Sequence, residues 1–335
     1  MNIQLAFAAM DIECCPKYFQ PDGAAHTLCA TRCTLNSSAA SQHGPPVILC
    51  HGLGSNRQTF LLPPQRNIVH MLLEDGFDVW LAELRGHGLS TSGIVWDSPW
   101  DVDDYVSDAG EFVAFVSSQT SGASVRWIGH SLGGIIGAVM ASSHASKSLA
   151  SVTAVASSYF YADSVFRKLS FAVPAITSVN FFPAHSFMRL QAPLSFRFVS
   201  TFVDSVMAWR SNVDAAVGRQ LLSTNFEPIS KRVILQLATG IQQPGVLHRD
   251  GTPFSDRLSE CKTPVFLIAG DRDKQCPHHS VCQLFDRLPP NSAHKYQCFG
   301  KDDGCADHYG HFDLIIGLRV EKEVFPSIRS FLQLH

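Results

Sequence analysis

Short continuous apolar runs, each closed by glycine or a polar turn, recur along the chain: Pro46–Cys50, Phe77–Ala82, Ser124–Gly129, Leu149–Ser157 and Pro264–Gly270. They are rich in Val and Ile and do not alternate with polar residues, the pattern of strands buried on both faces of a parallel sheet. Lys295–Phe299 predicts a last strand. Ahead of these, Lys17–Gln20 and His26–Leu35 flank the turn sequence Pro21-Asp22-Gly23, which predicts an antiparallel pair within residues 11–44. Helical spacing lies between the later strands. In Asp101–Val116 the residues Val102, Tyr105, Val106, Ala109, Phe112, Val113 and Val116 recur at intervals of three or four. Asp101, Asp103 and Asp104 stand in its first turn, where they complement the helix dipole. Phe312–Leu334 predicts a closing amphipathic helix, interrupted near Pro326.

Strands alternating with helices imply right-handed βαβ units, hence an α/β fold with a mostly parallel central sheet and helices on both faces. One interval breaks the rhythm. Between Ala162 and Glu260 no buried strand is evident, and Val199–Trp209 and Ile229–Leu237 fit helices. The expected organisation is a core of residues 1–161 and 261–335 with a helical cap, 162–260, inserted after the sixth strand.

Composition narrows the function classes. Hydrophobic residues make up 45% of the 335 and charged residues 16%, which excludes a disordered chain. A net charge of −3 leaves no basic excess to neutralise a phosphate backbone, so nucleic acid is excluded as a partner. The first ten residues lack the basic start and long apolar core of a secretory signal. Leu169–Met188 is uncharged, but Pro174, Pro183 and Asn180 disqualify it as a transmembrane helix. Ten cysteines without a CxxC pair read as reduced thiols in a cytoplasmic protein that holds no zinc. Nine of the 23 phenylalanines (Phe160, Phe166, Phe171, Phe181, Phe182, Phe187, Phe196, Phe198 and Phe202) crowd the start of the expected cap.

The candidate chemistry begins at Gly129-His130-Ser131-Leu132-Gly133, a G-x-S-x-G pattern between an apolar strand and the small-residue helix Gly133–Ser143. A sharp strand-to-helix turn lifts a serine hydroxyl clear of the sheet, and glycines on both sides let neighbouring elements approach. His51-Gly52-Leu53-Gly54 follows another buried strand. The amides of Leu53 and Leu132 are the candidate oxyanion hole, two preorganised donors for the charge of a tetrahedral intermediate. A nucleophilic serine needs a base, and the base an orienting acid. Asp271 and Asp273 follow the strand Val265–Ala269, Asp163 opens the cap, and His308 and His311 follow the last strand. The stretch Cys298, Asp302, Asp303, Cys305, Asp307 and His308 matches no standard metal site and reads as the loop that delivers the histidine.

The order Ser…Asp…His, with the elbow Gly-His-Ser-Leu-Gly-Gly at 129–134, resembles the α/β-hydrolase superfamily over about Pro45–Phe160 and Thr263–His335. The resemblance implies the α/β-hydrolase fold, with Ser131 as nucleophile, Asp273 as acid and His311 as base. In the family the acid stands three residues after the strand-ending glycine, here Gly270, with a proline four later, here Pro277. The histidine directly follows Gly310 and opens a helix. Arg85-Gly86-His87-Gly88-Leu89-Ser90 resembles the R-G-x-G-x-S turn of the same family, with a structural role for His87. Gly76–Ala82 and Trp100–Tyr105 look similar to acid lipases and polyhydroxyalkanoate synthases. The synthases use cysteine in the elbow, and epoxide hydrolases and haloalkane dehalogenases use aspartate, so serine at 131 points to hydrolysis through an acyl-enzyme. The implied function is a carboxylic ester hydrolase, lipase- or esterase-like, with no cofactor and no metal. Its expected substrate is a small-molecule lipophilic ester, with the lipophilic acyl or alcohol group beneath the aromatic cap, touched by His130, Phe160, Phe166, Phe181 and Phe182. Thioesterase, acyltransferase or carbon–carbon hydrolase and lyase chemistry would use the same triad, and a non-catalytic receptor would leave it idle.

Overall fold

The computed structural model describes residues 11–36, 44–196 and 201–335. The expectation for the first ten residues, and Phe198, lie outside them. Strand β1 (Ile12–Phe19) pairs antiparallel with β2 (Leu28–Leu35), in register from Ile12 opposite Leu35 to Phe19 opposite Leu28. The pair thus begins five residues earlier than the Lys17–Gln20 pattern showed. Then come β3 (Pro46–Cys50), β4 (Asp78–Glu83), β5 (Val125–His130) and β6 (Leu149–Val155). Between β6 and the next core strand lies a separate two-stranded ladder of β7 (Phe181–Phe182) and β8 (Ile229–Ser230). The core closes with β9 (Val265–Gly270) and β10 (Lys295–Phe299).

The main sheet has eight strands in the order β1-β2-β4-β3-β5-β6-β9-β10. β2 meets β4 antiparallel, and from β4 to β10 every pairing is parallel. β3, β4 and β9 are buried at every position, which is why β3, β9 and the Val79–Ala82 stretch of β4 run apolar without alternation. Their side chains still divide by face. Val47 and Leu49 join Phe331 and Ile315 in one core, while Ile48 and Cys50 join Phe112 and Ile135 in the other.

The helix predicted over Asp101–Val116 runs Val102–Gln119, with Asp101 as its N-cap in a capping box with Asp104. Leu132–Ala141 follows β5 and is buried all round. The C-terminal expectation needs correction. The segment forms three helices, Asp313–Ile316, Val320–Glu323 and Phe325–Leu334. Extended backbone at Gly317 makes the first break, and Pro326 lies in the first turn of the last helix, where its missing N–H costs no hydrogen bond.

Residues between β6 and β9 add no strand to the main sheet among the described residues. They form short helices at Val165–Leu169, Val173–Ile176, Ala184–Gln191, Phe202–Met207, Ala215–Thr224 and Lys231–Thr239. The run Ile229–Leu237 is therefore a two-residue strand and then a helix. Among the described residues no helix is long and apolar enough to cross a membrane.

Candidate active site

Ser131 follows the last residue of β5 and precedes the first residue of helix Leu132–Ala141. Its backbone sits at φ +53, ψ −116, a region that non-glycine residues rarely occupy. Surrounding bonds hold it there. Its N–H donates to Val155 O at 2.8 Å, and its carbonyl accepts from Gly134 N at 3.0 Å and Ser157 Oγ at 2.8 Å. Gly133 passes so close to β3 that an added Cβ would run into the Cys50 carbonyl. Glycine there is a packing requirement of the turn. The Leu132 amide stands at the positive end of its helix.

Beside it, the turn after β3 is braced by His51. Its Nδ1–H donates to Gly52 O at 2.9 Å, and Nε2 accepts from Leu84 N at 3.2 Å. Burial and the neighbouring His87 push its pKa down to about 3, so the ring is neutral and each nitrogen has a fixed role. Half-buried Leu53 occupies the middle of this turn.

Asp273 lies three residues past the end of β9. Its Oδ2 accepts from His311 Nδ1 at 2.7 Å, and its Oδ1 accepts from Gln275 N at 2.8 Å and Cys276 N at 2.9 Å. The pair is sealed from solvent, at 2% and 0% side-chain exposure. With Nδ1–H committed to Asp273, Nε2 of His311 is the nitrogen left to accept a proton. His130, next to Ser131 in the chain, donates from Nε2 to the His311 carbonyl at 3.1 Å. The Ser131 turn and the His311 loop are joined directly. Burial and the adjacent His311 hold the His130 pKa well below the ordinary value, and its Nδ1 is buried without a partner.

The competing residues are also placed. Asp271 Oδ2 pairs with His308 Nδ1, and Asp271 Oδ1 accepts from Tyr309 N at 2.9 Å. Asp271–His308 and Asp273–His311 are thus two rungs between the same two loops. Asp163 pairs with His279 at 3.0 Å on the surface. His87 is buried, its Nδ1 at 2.9 Å from Arg85 O.

Asp313 escaped the sequence reading. It is buried, and accepts from Gly310 N at 2.9 Å and from Trp209 N at 3.1 Å, with Asn212 Nδ2 at 3.4 Å. Burial pushes its carboxyl up to about 7. The only signal was a carboxylate at the head of an otherwise apolar Phe312–Ile316 stretch.

Two edges of the insertion grip the site loops. On one side Phe312 N donates to Met207 O at 2.9 Å, and Gln275 Nε2 donates to Val206 O at 3.1 Å. On the other, Glu227 N donates to Gly54 O at 2.8 Å, and Ile229 packs where a Gly54 side chain would stand. The expected substrate contacts divide accordingly. Phe181 and Phe182 pair with Ser230 and Ile229 beside that turn, and Phe181 packs on Trp100 at 4.7 Å. Phe166 is half-buried and meets Tyr161 edge-on at 5.9 Å. Phe160 is buried, with the Arg287 guanidinium 4.2 Å above its ring, and His130 is buried beneath the loops.

A family model described as alpha/beta hydrolase fold matches residues 45–315. Lipase 3 of Drosophila melanogaster is 29% identical over 110 residues, 30% of this chain and 28% of that protein, so the chain spans little more than a quarter of that relative. Gastric triacylglycerol lipase of Bos taurus is 23% identical over 327 residues, covering 86% of this chain and 80% of that one. An esterase from Exiguobacterium antarcticum has a similar structure, with a TM-score of 0.61 at 15% identity over 95% of this chain and 99% of that chain. The parallel sheet, the strained serine at the end of its fifth strand and a family match across most of the sequence agree, and the chain belongs to the α/β-hydrolase fold family.

Proposed function

We propose that the protein is a serine hydrolase of lipophilic carboxylic esters, with Ser131 as nucleophile, His311 as general base and Asp273 as orienting acid. The observation that carries this reading is the strained Ser131 at a helix head, tied through its neighbour His130 to the loop that holds a buried Asp273–His311 bond of 2.7 Å. Asp273 fixes the His311 tautomer, so Nε2 takes the Ser131 proton as Oγ attacks the acyl carbon. The carbonyl oxygen becomes an oxyanion, stabilised by the Leu53 and Leu132 amides; losing one such donor typically costs about 2.7–4 kcal/mol. His311 then protonates the departing alkoxide, and water resolves the acyl-enzyme by the same route in reverse.

Residues 162–260 act as the cap in this reading. Phe166, Phe181 and Phe182 line the acyl entrance, and buried Phe160 and His130 support it from behind. Two features favour a lipophilic group: the exposed Phe171 and Leu190 of the insertion, and the lipases and esterase among the similar proteins. A cytoplasmic location rests on cysteine usage alone and is tested by cell fractionation. For the chemistry, Ser131→Ala should lower kcat on p-nitrophenyl esters by about 10⁶, with the fold retained. Octanoate should turn over faster than acetate. Unchanged turnover in the variant defeats the assignment, and a preference for acetate defeats the lipophilic pocket.

A further inference from the structure

At the edge of the sheet farthest from β10, the β1–β2 register sets Cys14 directly opposite Cys33, with the two Sγ atoms 3.7 Å apart. Opposed residues of antiparallel strands have Cα atoms about 4.5–5.5 Å apart, inside the roughly 4.4–6.8 Å range of a disulfide. Closing the sulfurs to a bond of about 2.05 Å therefore needs side-chain rotation, with the backbone left in place. Strand alternation separates this pair from its neighbour. Cys15 is exposed and opposite Arg32, so it projects from the other face and cannot exchange with Cys14 without a slip of register. The two partners differ in access: Cys14 is partly exposed, and Cys33 is buried in the core beside Val79.

We infer that Cys14 and Cys33 form a reversible cross-strand disulfide, in which Cys14 is the thiol that meets a hydroperoxide and Cys33 the thiol that resolves it. Hydrogen bonding from Cys33 and the nearby Arg57 guanidinium hold the Cys14 thiol below its ordinary pKa. The same contact, with burial, pushes Cys33 up. The attacking thiolate is therefore the accessible one. In the first step the Cys14 sulfur attacks a peroxide oxygen: an S–O bond forms, the O–O bond breaks, and the leaving alkoxide or hydroxide takes a proton. In the second, the Cys33 sulfur attacks Cys14: the S–S bond forms, the S–O bond breaks, and hydroxide leaves with the Cys33 proton as water. Two thiols are oxidised, and one hydroperoxide is reduced to an alcohol, or water, plus water.

The test uses the full chain, treated with hydrogen peroxide, quenched in acid, alkylated and mapped by mass spectrometry. A Cys14–Cys33 linked peptide, two hydrogens lighter than the dithiol and released by dithiothreitol, is expected. In Cys33→Ser, Cys14 should accumulate as a dimedone-reactive sulfenic acid. In Cys14→Ser, Cys33 should stay reduced, and Cys15→Ser should behave as the native chain. Alkylation of both cysteines after peroxide would overturn the inference, as would Cys14 linked to any other cysteine. Dimedone labelling of Cys33 in place of Cys14 would overturn the assigned roles. The mapping on the native chain stands even if a variant fails to fold.

Discussion

Ser131 and Asp273 stand within three residues of the ends of β5 and β9 and His311 on the loop after β10, whereas Phe166, Phe187 and Phe202 of the insertion ride on short helices with part of their surface in water. Phe171 is 80% exposed and Leu190 73%, while β3, β4 and β9 expose nothing. Charge divides the same way. Residues 162–260 carry ten Lys and Arg against seven Asp and Glu, in a chain with 26 against 29. Sheet register fixes the site loops across long stretches of sequence, and a few hydrogen bonds, Glu227 to Gly54 and Trp209 to Asp313, fix the insertion onto them. Changes in the core should therefore act on kcat, and changes in the insertion on substrate choice.

The sharpest way to break this division is to compare the two rungs between the acid and histidine loops. Asp273→Asn should lower kcat by about 10⁴, since the wrong His311 tautomer then faces the serine. Asp271→Asn removes an acceptor from His308, with no contact to His311, and should cost less than tenfold. Steady-state kinetics on one activated ester checks both. Equal losses would mean that the rungs act as one unit.

An intermediate effect is expected where insertion and histidine loop meet. The Asp313 carboxyl is raised from 3.8 to about 7 in the folded chain. The unfolded chain therefore loses its proton first as pH rises, and stability through this group is full below about pH 4 and falls until about pH 7. The change is on the order of a few kcal/mol. Asp273 is the charged neighbour that adds to the shift. Asp313→Asn should flatten this part of the profile, measured as the difference in urea midpoint between pH 4.5 and 7.5. An unchanged difference would show that Asp313 is ionised throughout.

The smallest effect belongs to the insertion alone. Phe182→Ala should reduce the octanoate-to-acetate preference about tenfold through KM, with acetate kcat unchanged. A loss of kcat on both esters would show that β7 supports the reacting groups.

What the sequence made legible follows the same division. Pro46–Cys50 and Pro264–Gly270 end where β3 and β9 end, because burial on both faces leaves an uninterrupted apolar run. β1 was shortened at Lys17 because Glu13, Cys15 and Pro16 lie on exposed positions of an edge strand. The preference for Asp273 over Asp271 comes from the family resemblance, with Asp273 three residues after Gly270, and pairing alone does not separate them, since each finds a histidine on the same facing loop. Asp313 is a lone carboxylate beside an apolar stretch, and only the return of Trp209 and Asn212 from a hundred residues away makes it a buried acceptor. Phe160 and Phe181 are alike in sequence, but one lies under Arg287 and the other in β7, paired with the strand whose Ile229 packs on Gly54.

Intact-protein and peptide mass spectrometry after treatment with a fluorophosphonate tests the central claim most directly. The account predicts one adduct per chain, on Ser131, abolished by Ser131→Ala and strongly slowed by His311→Gln. A native chain that hydrolyses esters while Ser131 stays unlabelled, or an adduct on another residue, would contradict it.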